Sequence, residues 1–470
     1  MMDNTKPSNK RPLNLMFFLH AVSLVVLLTT ANDTNDDLGQ FTKWLHDHGS
    51  KFRCNFSSET GSVEVIAERR IHDRESVFMI PQTLLINSTV IDSSVLGPSL
   101  DYVSMTEASI SREKDSEKQS IMHLFQLAIY ILYGVHTKDE FWFPYFKLLT
   151  RKNEKCHNLW MWTDKELDEL QDEALEKRAK KWREEIHMLA SNIAPKLVKT
   201  GVFPDGISVD DLKNGVCLAQ SSSFNITSAS GQPVRTLVPV LNLFKVNPDV
   251  QCTWWMKDGV LRYRYNTKPI EKGNQIFINL SPTGDSTQML FEYGVFVSKG
   301  SKFVSNLKKA NSLLRRRFMT DLKIRKKIKY SDKFTFKSAA LPYFRIEALT
   351  EPEVEKITKE VANNESLLLP IKKVIKSPSI YVKSDPYFSC KSEVVALNTL
   401  AVHLRDELKD KPTTIPEDEK IMSKTLKPRH ALAVSFRLRF KKLVTKFLDA
   451  TSARSVTTKK ECLSRDKDEL

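Results

Sequence analysis

Thr236-Leu-Val-Pro-Val-Leu241, Val260-Leu-Arg-Tyr-Arg-Tyr265 and Gln275-Ile-Phe-Ile-Asn-Leu280 are three short runs that read as strands. They are rich in β-branched and aromatic residues and are separated by turn-forming ones. Val63-Glu-Val-Ile66 and Ser76-Val-Phe-Met-Ile80 read the same way far upstream. Between the two groups the pattern is mainly helical. Ile121 to Val135 is strongly apolar; Asp164 to Leu189 is charged on most faces, with apolar positions at Leu167, Leu170, Ala174 and Trp182. Helical periodicity returns after residue 300. The expected fold class is α+β: a β-fold interrupted by a helical insertion, followed by an all-α domain. The expected organisation is a signal peptide over 1–31, β-rich parts over 38–116 and 231–299, the insertion over 117–230, a helical domain over 300–450 and a flexible tail over 451–470.

The two ends carry addresses. Lys6, Lys10 and Arg11 precede an apolar run from Leu13 to Leu28, and Thr29-Thr30-Ala31 offers small residues for cleavage. That order is expected of a secretory signal peptide, and the run is shorter than the roughly 20 residues of a spanning helix. No stable transmembrane span is expected. Lys467-Asp468-Glu469-Leu470 reads as a retention address recognised by the KDEL receptor. The expected location is the endoplasmic reticulum lumen. Asn32, Asn55, Asn87, Asn225 and Asn364 then become glycosylation candidates; Asn279 also heads a sequon, but in a strand.

The chain has 6 Cys and a net charge of +15. No two cysteines form a C-x-x-C pair, so neither a zinc site nor a thioredoxin-type motif is expected, and no other metal site is. In an oxidising lumen some would pair, though spacing does not say which; six buried thiols is the other reading. Lumenal residence argues against nucleic acid as the partner of the basic excess. That excess is densest from Lys308 to Lys337, where interleaved leucines and isoleucines suggest an amphipathic helix with a solvated basic face. An acidic partner or an anionic membrane is the alternative use of that face. His46, His48 and His123 lack metal-ligand spacing, and Trp254-Trp255 reads as core and surface packing.

Several further segments share an order and spacing with a known group. They are Phe41-Thr-Lys-Trp-Leu45, Ala67-Glu-Arg-Arg-Ile71, Met79-Ile-Pro81, Phe141-Trp-Phe-Pro-Tyr-Phe146, Trp162-Thr-Asp-Lys-Glu-Leu167, Leu237-Val-Pro239, Phe291-Glu-Tyr-Gly-Val-Phe296, Leu341-Pro-Tyr-Phe-Arg345 and Thr413-Thr-Ile-Pro-Glu-Asp-Glu419. From about residue 40 to 450 the chain resembles SET-domain proteins of the group containing the Rubisco large-subunit lysine methyltransferase and the actin-histidine methyltransferase. The resemblance implies a SET β-fold, a C-terminal substrate-binding helical domain and S-adenosylmethionine as cofactor. The implied chemistry is in-line transfer of a methyl group to a deprotonated side-chain nitrogen, in a channel lined by oxygens and aromatic faces.

At the positions implied to do that chemistry, the residues differ. The family's Gly-x-Gly turn falls on Ser62 and Glu64, with Gly61 one place off. Its Asn-His pair falls on Lys245 and Val246, and its axial tyrosine on Leu280. Tyr293, in the Tyr-Gly segment, is kept as a channel-lining aromatic. Glycine permits close backbone approach that Glu64 would obstruct; a lysine cannot accept hydrogen bonds as an asparagine does; a leucine has no hydroxyl. Loss of one transition-state oxygen commonly costs about 10²–10³ in rate. The expected function is a catalytically impaired methyltransferase homologue that binds a polypeptide client in the lumen. The alternative is an active protein-lysine N-methyltransferase of the secretory pathway, using Tyr293 with Tyr263 or Tyr265. A third reading keeps only the ancestry of the fold, with an unrelated lumenal role.

Overall fold

A computed structural model describes residues 36–57, 63–100, 116–139, 141–151, 156–227, 233–247, 250–265, 269–279, 286–298, 301–307, 310, 312–324, 326–331, 340–376 and 389–468. The expected leader over 1–31, Asn32, Ser62, Leu280, Glu469 and Leu470 lie outside them. The chain divides into two compact units: one runs to Cys156 and resumes over Ile186–Asn279, the other holds His157–Glu185 and Leu280–Leu470.

The first unit carries the strands β1 (Lys51–Phe52), β2 (Cys54–Ser57), β3 (Glu64–Ala67), β4 (Ser76–Pro81), β5 (Ser223–Thr227), β6 (Pro233–Leu237), β7 (Lys245–Val246), β8 (Cys252–Lys257), β9 (Val260–Tyr265) and β10 (Phe277–Ile278). Its largest sheet has the order β1-β4-β9-β8, and smaller ribbons pair β2 with β3, β5 with β6, and β7 with β10. Alternation decides the faces. Phe78, Ile80, Leu261 and Tyr263 are buried on one side, and Phe78 stacks on Tyr263 with ring centroids 4.9 Å apart. Asp258-Gly259 turns β8 into β9, both at positive φ, as a two-residue hairpin requires.

The 36–47 helix opens this unit and buries Phe41, Trp44 and Leu45, one helical face as the sequence expects. The Ser116–His136 helix packs on Val209–Ser222, whose Gly215 lets them approach: a Cβ there would come within 2.8 Å of Leu132. Cys156 and Cys217 are joined by a disulfide.

The second unit is mainly helical. Its one ribbon pairs β11 (Phe303–Asn306) with β12 (Lys327–Tyr330) among the described residues. The expected basic helix over 308–337 is corrected here. Helix runs only over Leu313–Asp321, and β12 follows with alternate residues buried, because Lys327-Ile-Lys-Tyr330 has a period of two rather than 3.6. Nor is its basic face wholly solvated: the Arg315 guanidinium donates to Leu349 O and pairs with Glu351 at 2.7 Å, and Arg316 Nε donates to Ala310 O.

The expected flexible tail is also corrected. The last helix runs Pro428–Asp468, and Cys462 is disulfide-bonded to Cys390 at the start of the Cys390–Lys409 helix. Within the expected tail, Thr451, Ser455 and Thr458 continue the helix's buried side at helical spacing, with Ser455 Oγ donating to Asn398 Oδ1 at 2.6 Å. These residues are small and polar, so a search for apolar periodicity passes over them.

Segment 157–185, expected as part of the insertion, belongs to this helical unit. A buried polar cluster holds it there. Asp418 is 0% exposed and accepts from Arg437 Nε at 2.9 Å and Lys441 Nζ at 2.7 Å. Arg437 reaches Glu169 O at 2.6 Å, and Lys441 reaches Gln171 Oε1 and Thr413 Oγ1, each at 2.8 Å. Burial pushes the Asp418 carboxyl upward, but the hydrogen bonds from Lys441, Thr413 and Arg437 prevail and hold it below its ordinary value. Among the described residues no helix is long and apolar enough to cross a membrane, and no three His, Cys, Asp or Glu side chains form a metal-binding group.

Candidate functional site

The site is assembled in the first unit from three distant segments. β3 lies antiparallel to residues 274–276: Ile276 N donates to Val65 O at 2.8 Å, and Ala67 N to Asn274 O at 2.9 Å. That segment continues into β10, which runs parallel to β7, with Phe277 opposite Lys245 and Ile278 opposite Val246. Glu64 and Lys245 are thereby brought side by side across 181 residues of chain, and Lys245 Nζ donates to Glu64 Oε1 at 2.6 Å. The two side chains are 43% and 30% exposed, for Lys245 and Glu64 respectively. An ion pair so placed contributes only about 0–1 kcal/mol to stability, so its importance is occupancy and charge, not strength. Val246 is half-buried beside it.

The neighbouring tyrosines are fully used. Tyr263 and Tyr265 hydroxyls both donate to Phe277 O, at 2.8 and 2.7 Å, and Tyr265 also accepts from Phe277 N at 2.6 Å. Burial pushes both phenols well above their ordinary range. They remain neutral and anchor β10. Asn279, one position beyond the described end of that segment's strand, donates to Val250 O at 3.2 Å.

Tyr293 belongs to the second unit, where it closes the Ser286–Tyr293 helix, half-buried. The segment around it is tightly held. Asn158 Nδ2 donates to Glu292 O at 2.7 Å, Trp182 meets Phe291 edge-on at 5.2 Å, and the Arg178 guanidinium lies 4.1 Å from the Phe291 centroid. Gly294 follows at φ 62°, and a Cβ there would run into His157. Only glycine meets both conditions, which explains the Tyr-Gly pair locally.

The site residues expected from sequence therefore divide. Glu64, Lys245 and Val246 are brought together; Tyr293 is in the other unit; Ser62 and Leu280 fall outside the described residues. What sequence reading missed is the pairing itself, because it treats Glu64 and Lys245 as separate departures from a pattern. Opposite charge at two positions of one implied site is the signal that was available.

An interrupted β-fold followed by a helical domain is the architecture of SET-domain proteins, and comparison bears this out. Residues 311–444 match the family described as Rubisco LSMT substrate-binding. The chain is similar to the SET domain of LSMT solved with lysine and AdoHcy, at TM-score 0.62 and 16% identity, covering 90% of this chain and 92% of that one. It is similar to Rubisco LSMT bound to AdoMet, at TM-score 0.62, 17% identity and 90% and 93% coverage. It also resembles Rubisco LSMT bound to sinefungin and monomethyllysine, at TM-score 0.61, 16% identity and the same coverage of 90% and 93%. No curated protein matches in sequence. The chain has the α+β SET fold of these solved structures, and its helices over 311–444 lie in the segment that matches the substrate-binding family model.

Proposed function

We propose that this chain is a lumenal SET-fold protein that has lost ordinary methyl transfer and serves to bind a polypeptide. The observation that carries the reading is the Glu64–Lys245 ion pair at 2.6 Å. The similar solved structures hold AdoMet or AdoHcy. The resemblance sets Glu64 and Lys245 where a cofactor of that kind presents its amino-acid end. There Lys245 is already neutralised by an internal carboxylate, and Glu64 opposes the carboxylate of any incoming ligand. The pair's two charges cancel, so an incoming carboxylate meets the bulk of Glu64 and no unpaired cation. The residues present do not fit S-adenosylmethionine. The alternative, an active protein-lysine methyltransferase, gains nothing from Tyr263 and Tyr265, whose hydroxyls are committed to Phe277.

A polypeptide partner is supported by the match of residues 311–444 to a substrate-binding domain. The lumenal compartment is supported by the Cys156–Cys217 and Cys390–Cys462 disulfides, which persist in oxidising surroundings. Exposed Asn55, Asn225 and Asn364 are compatible with glycosylation. Asn87 is half-buried and its Oδ1 caps a short helix by accepting from Val90 N at 3.3 Å.

Calorimetric titration with S-adenosylmethionine tests the impaired site. The expected result is no binding at millimolar cofactor for the natural chain, and measurable binding for Glu64→Gly combined with Lys245→Asn. Micromolar binding by the natural chain refutes the reading. Deletion of Lys467 to Leu470 tests the address: secretion to the medium is expected, and a truncated protein that stays in the cytosol removes the lumenal assignment.

A further inference from the structure

The outer face of the four-stranded sheet is unlike the rest of the molecule. Strand register places Lys51, Met79, Arg262, Arg264, Thr253 and Trp255 on the side opposite the core residues Phe78, Leu261 and Tyr263. The four strands read Lys-Phe, Ser-Val-Phe-Met-Ile-Pro, Cys-Thr-Trp-Trp-Met-Lys and Val-Leu-Arg-Tyr-Arg-Tyr, with no acidic residue in any of them.

Elsewhere in the unit, Arg53, Arg69 and Arg70 have carboxylates, and Arg235 has the Ser223 hydroxyl and Gln220 O. Arg53 pairs with Glu75 at 2.7 Å, and Arg69 Nη2 reaches the same carboxylate at 2.5 Å. Arg262 and Arg264 have no carboxylate among the described residues. Arg262 Nη1 lies 3.4 Å from the Met79 sulfur, and the Arg264 guanidinium rests 4.8 Å from the Trp255 ring centroid. Both Nε atoms are buried with no hydrogen-bond partner. Two half-buried guanidinium groups are therefore held on apolar supports on the side of the sheet opposite the core, with no carboxylate of the described residues paired to either.

We infer that this face docks an acidic polypeptide segment in extended conformation, with carboxylates at alternate positions. The geometry favours that ligand. Arg262 and Arg264 are two residues apart on one strand, so their side chains leave the sheet about 6.6–7 Å apart, which is also the spacing of alternate side chains in an extended peptide. Each planar guanidinium fork matches a carboxylate, and Trp255 supplies the rigid aromatic surface that binding hot spots favour. Lys51 flanks the pair on β1. A single anionic headgroup would answer only one of the two charges. This inference goes beyond the proposed function, because it names a surface formed without Glu64 or Lys245.

The test is fluorescence anisotropy of the full chain with a labelled decapeptide alternating aspartate and serine. The comparison probe is an isomer whose five aspartates are contiguous. Binding is expected to favour the alternating peptide, and Arg262→Gln with Arg264→Gln is expected to weaken it at least tenfold. Trp255→Ala should weaken it less. If the double variant does not fold, Arg264→Gln alone carries the test, with a several-fold loss expected. Undiminished binding by a folded variant overturns the inference. So does equal binding of the two isomers, absence of binding at millimolar peptide, or preference for phosphatidylserine vesicles over peptide. Glu64→Gly with Lys245→Asn should leave peptide binding unchanged, so failure of the docking surface and failure of the cofactor reading are seen separately.

Discussion

The Glu64–Lys245 pair and the Asp418–Arg437–Lys441 cluster use the same kinds of charge in opposite surroundings. The first is roughly one-third exposed and makes one hydrogen bond at 2.6 Å. The second is almost wholly buried and saturates its carboxylate from Thr413, Arg437 and Lys441. Water can replace either partner of the first pair at little cost. Nothing can replace a partner of the second. So the buried cluster holds the helical unit together, whereas the exposed pair adds little to stability and matters only through the proposed function. The difference lies in desolvation, not in the ions themselves.

That contrast is open to experiment. Asp418→Ala should destabilise the helical unit by about 3–5 kcal/mol, since it leaves buried Lys441 without its anion and buried Arg437 with only the more exposed Glu169. Denaturant unfolding followed by circular dichroism measures it; a loss below about 1 kcal/mol would mean that burial confers no special role. Replacing Cys390 and Cys462 by serine should cost about 2–4 kcal/mol by freeing the chain between them in the unfolded state. A loss confined to the Pro428–Asp468 helix would show as early proteolysis of that helix.

Acid should act on the same cluster. The Asp418 carboxyl is held below its ordinary value, so the unfolded chain takes up a proton first as pH falls. Its contribution is complete at neutral pH and declines once pH drops below about 4, the ordinary aspartate value. Asp418→Asn should flatten that part of the profile of unfolding midpoint against pH. Last and smallest, Glu64→Ala should change stability by no more than about 1 kcal/mol, because the lysine it strands is already in contact with water. A larger loss would turn the exposed pair into a structural element and erase the contrast.

The sequence was most legible where burial follows a simple period. The 36–47 helix, the core face of β4 and β9, and the helical C-terminal half all follow from apolar spacing. It was least legible where polar residues are buried. Thr451, Ser455 and Thr458 make a helix face that looks like a tail. Glu169 and Gln171 lie in a run read as charged on most faces, and no apolar period marks them or Thr413, yet they bind 157–185 to the C-terminal helices. Cysteine spacing did not choose partners; packing chose Cys156 with Cys217 and Cys390 with Cys462.

For the candidate site the division is similar. Residue identities, read through the resemblance, raised the expectation that Glu64 stands at a glycine position and Lys245 at an asparagine position, with Tyr293-Gly294 kept. They also determined the arginine repeat at 262 and 264. Only the tertiary structure decided that Glu64 meets Lys245, because their contact depends on β3 lying along residues 274–276 while β10 lies along β7. It likewise decided that Arg262 and Arg264 stand on the outer face, since strand register, which no single strand's sequence contains, determines which alternate set turns away from the core.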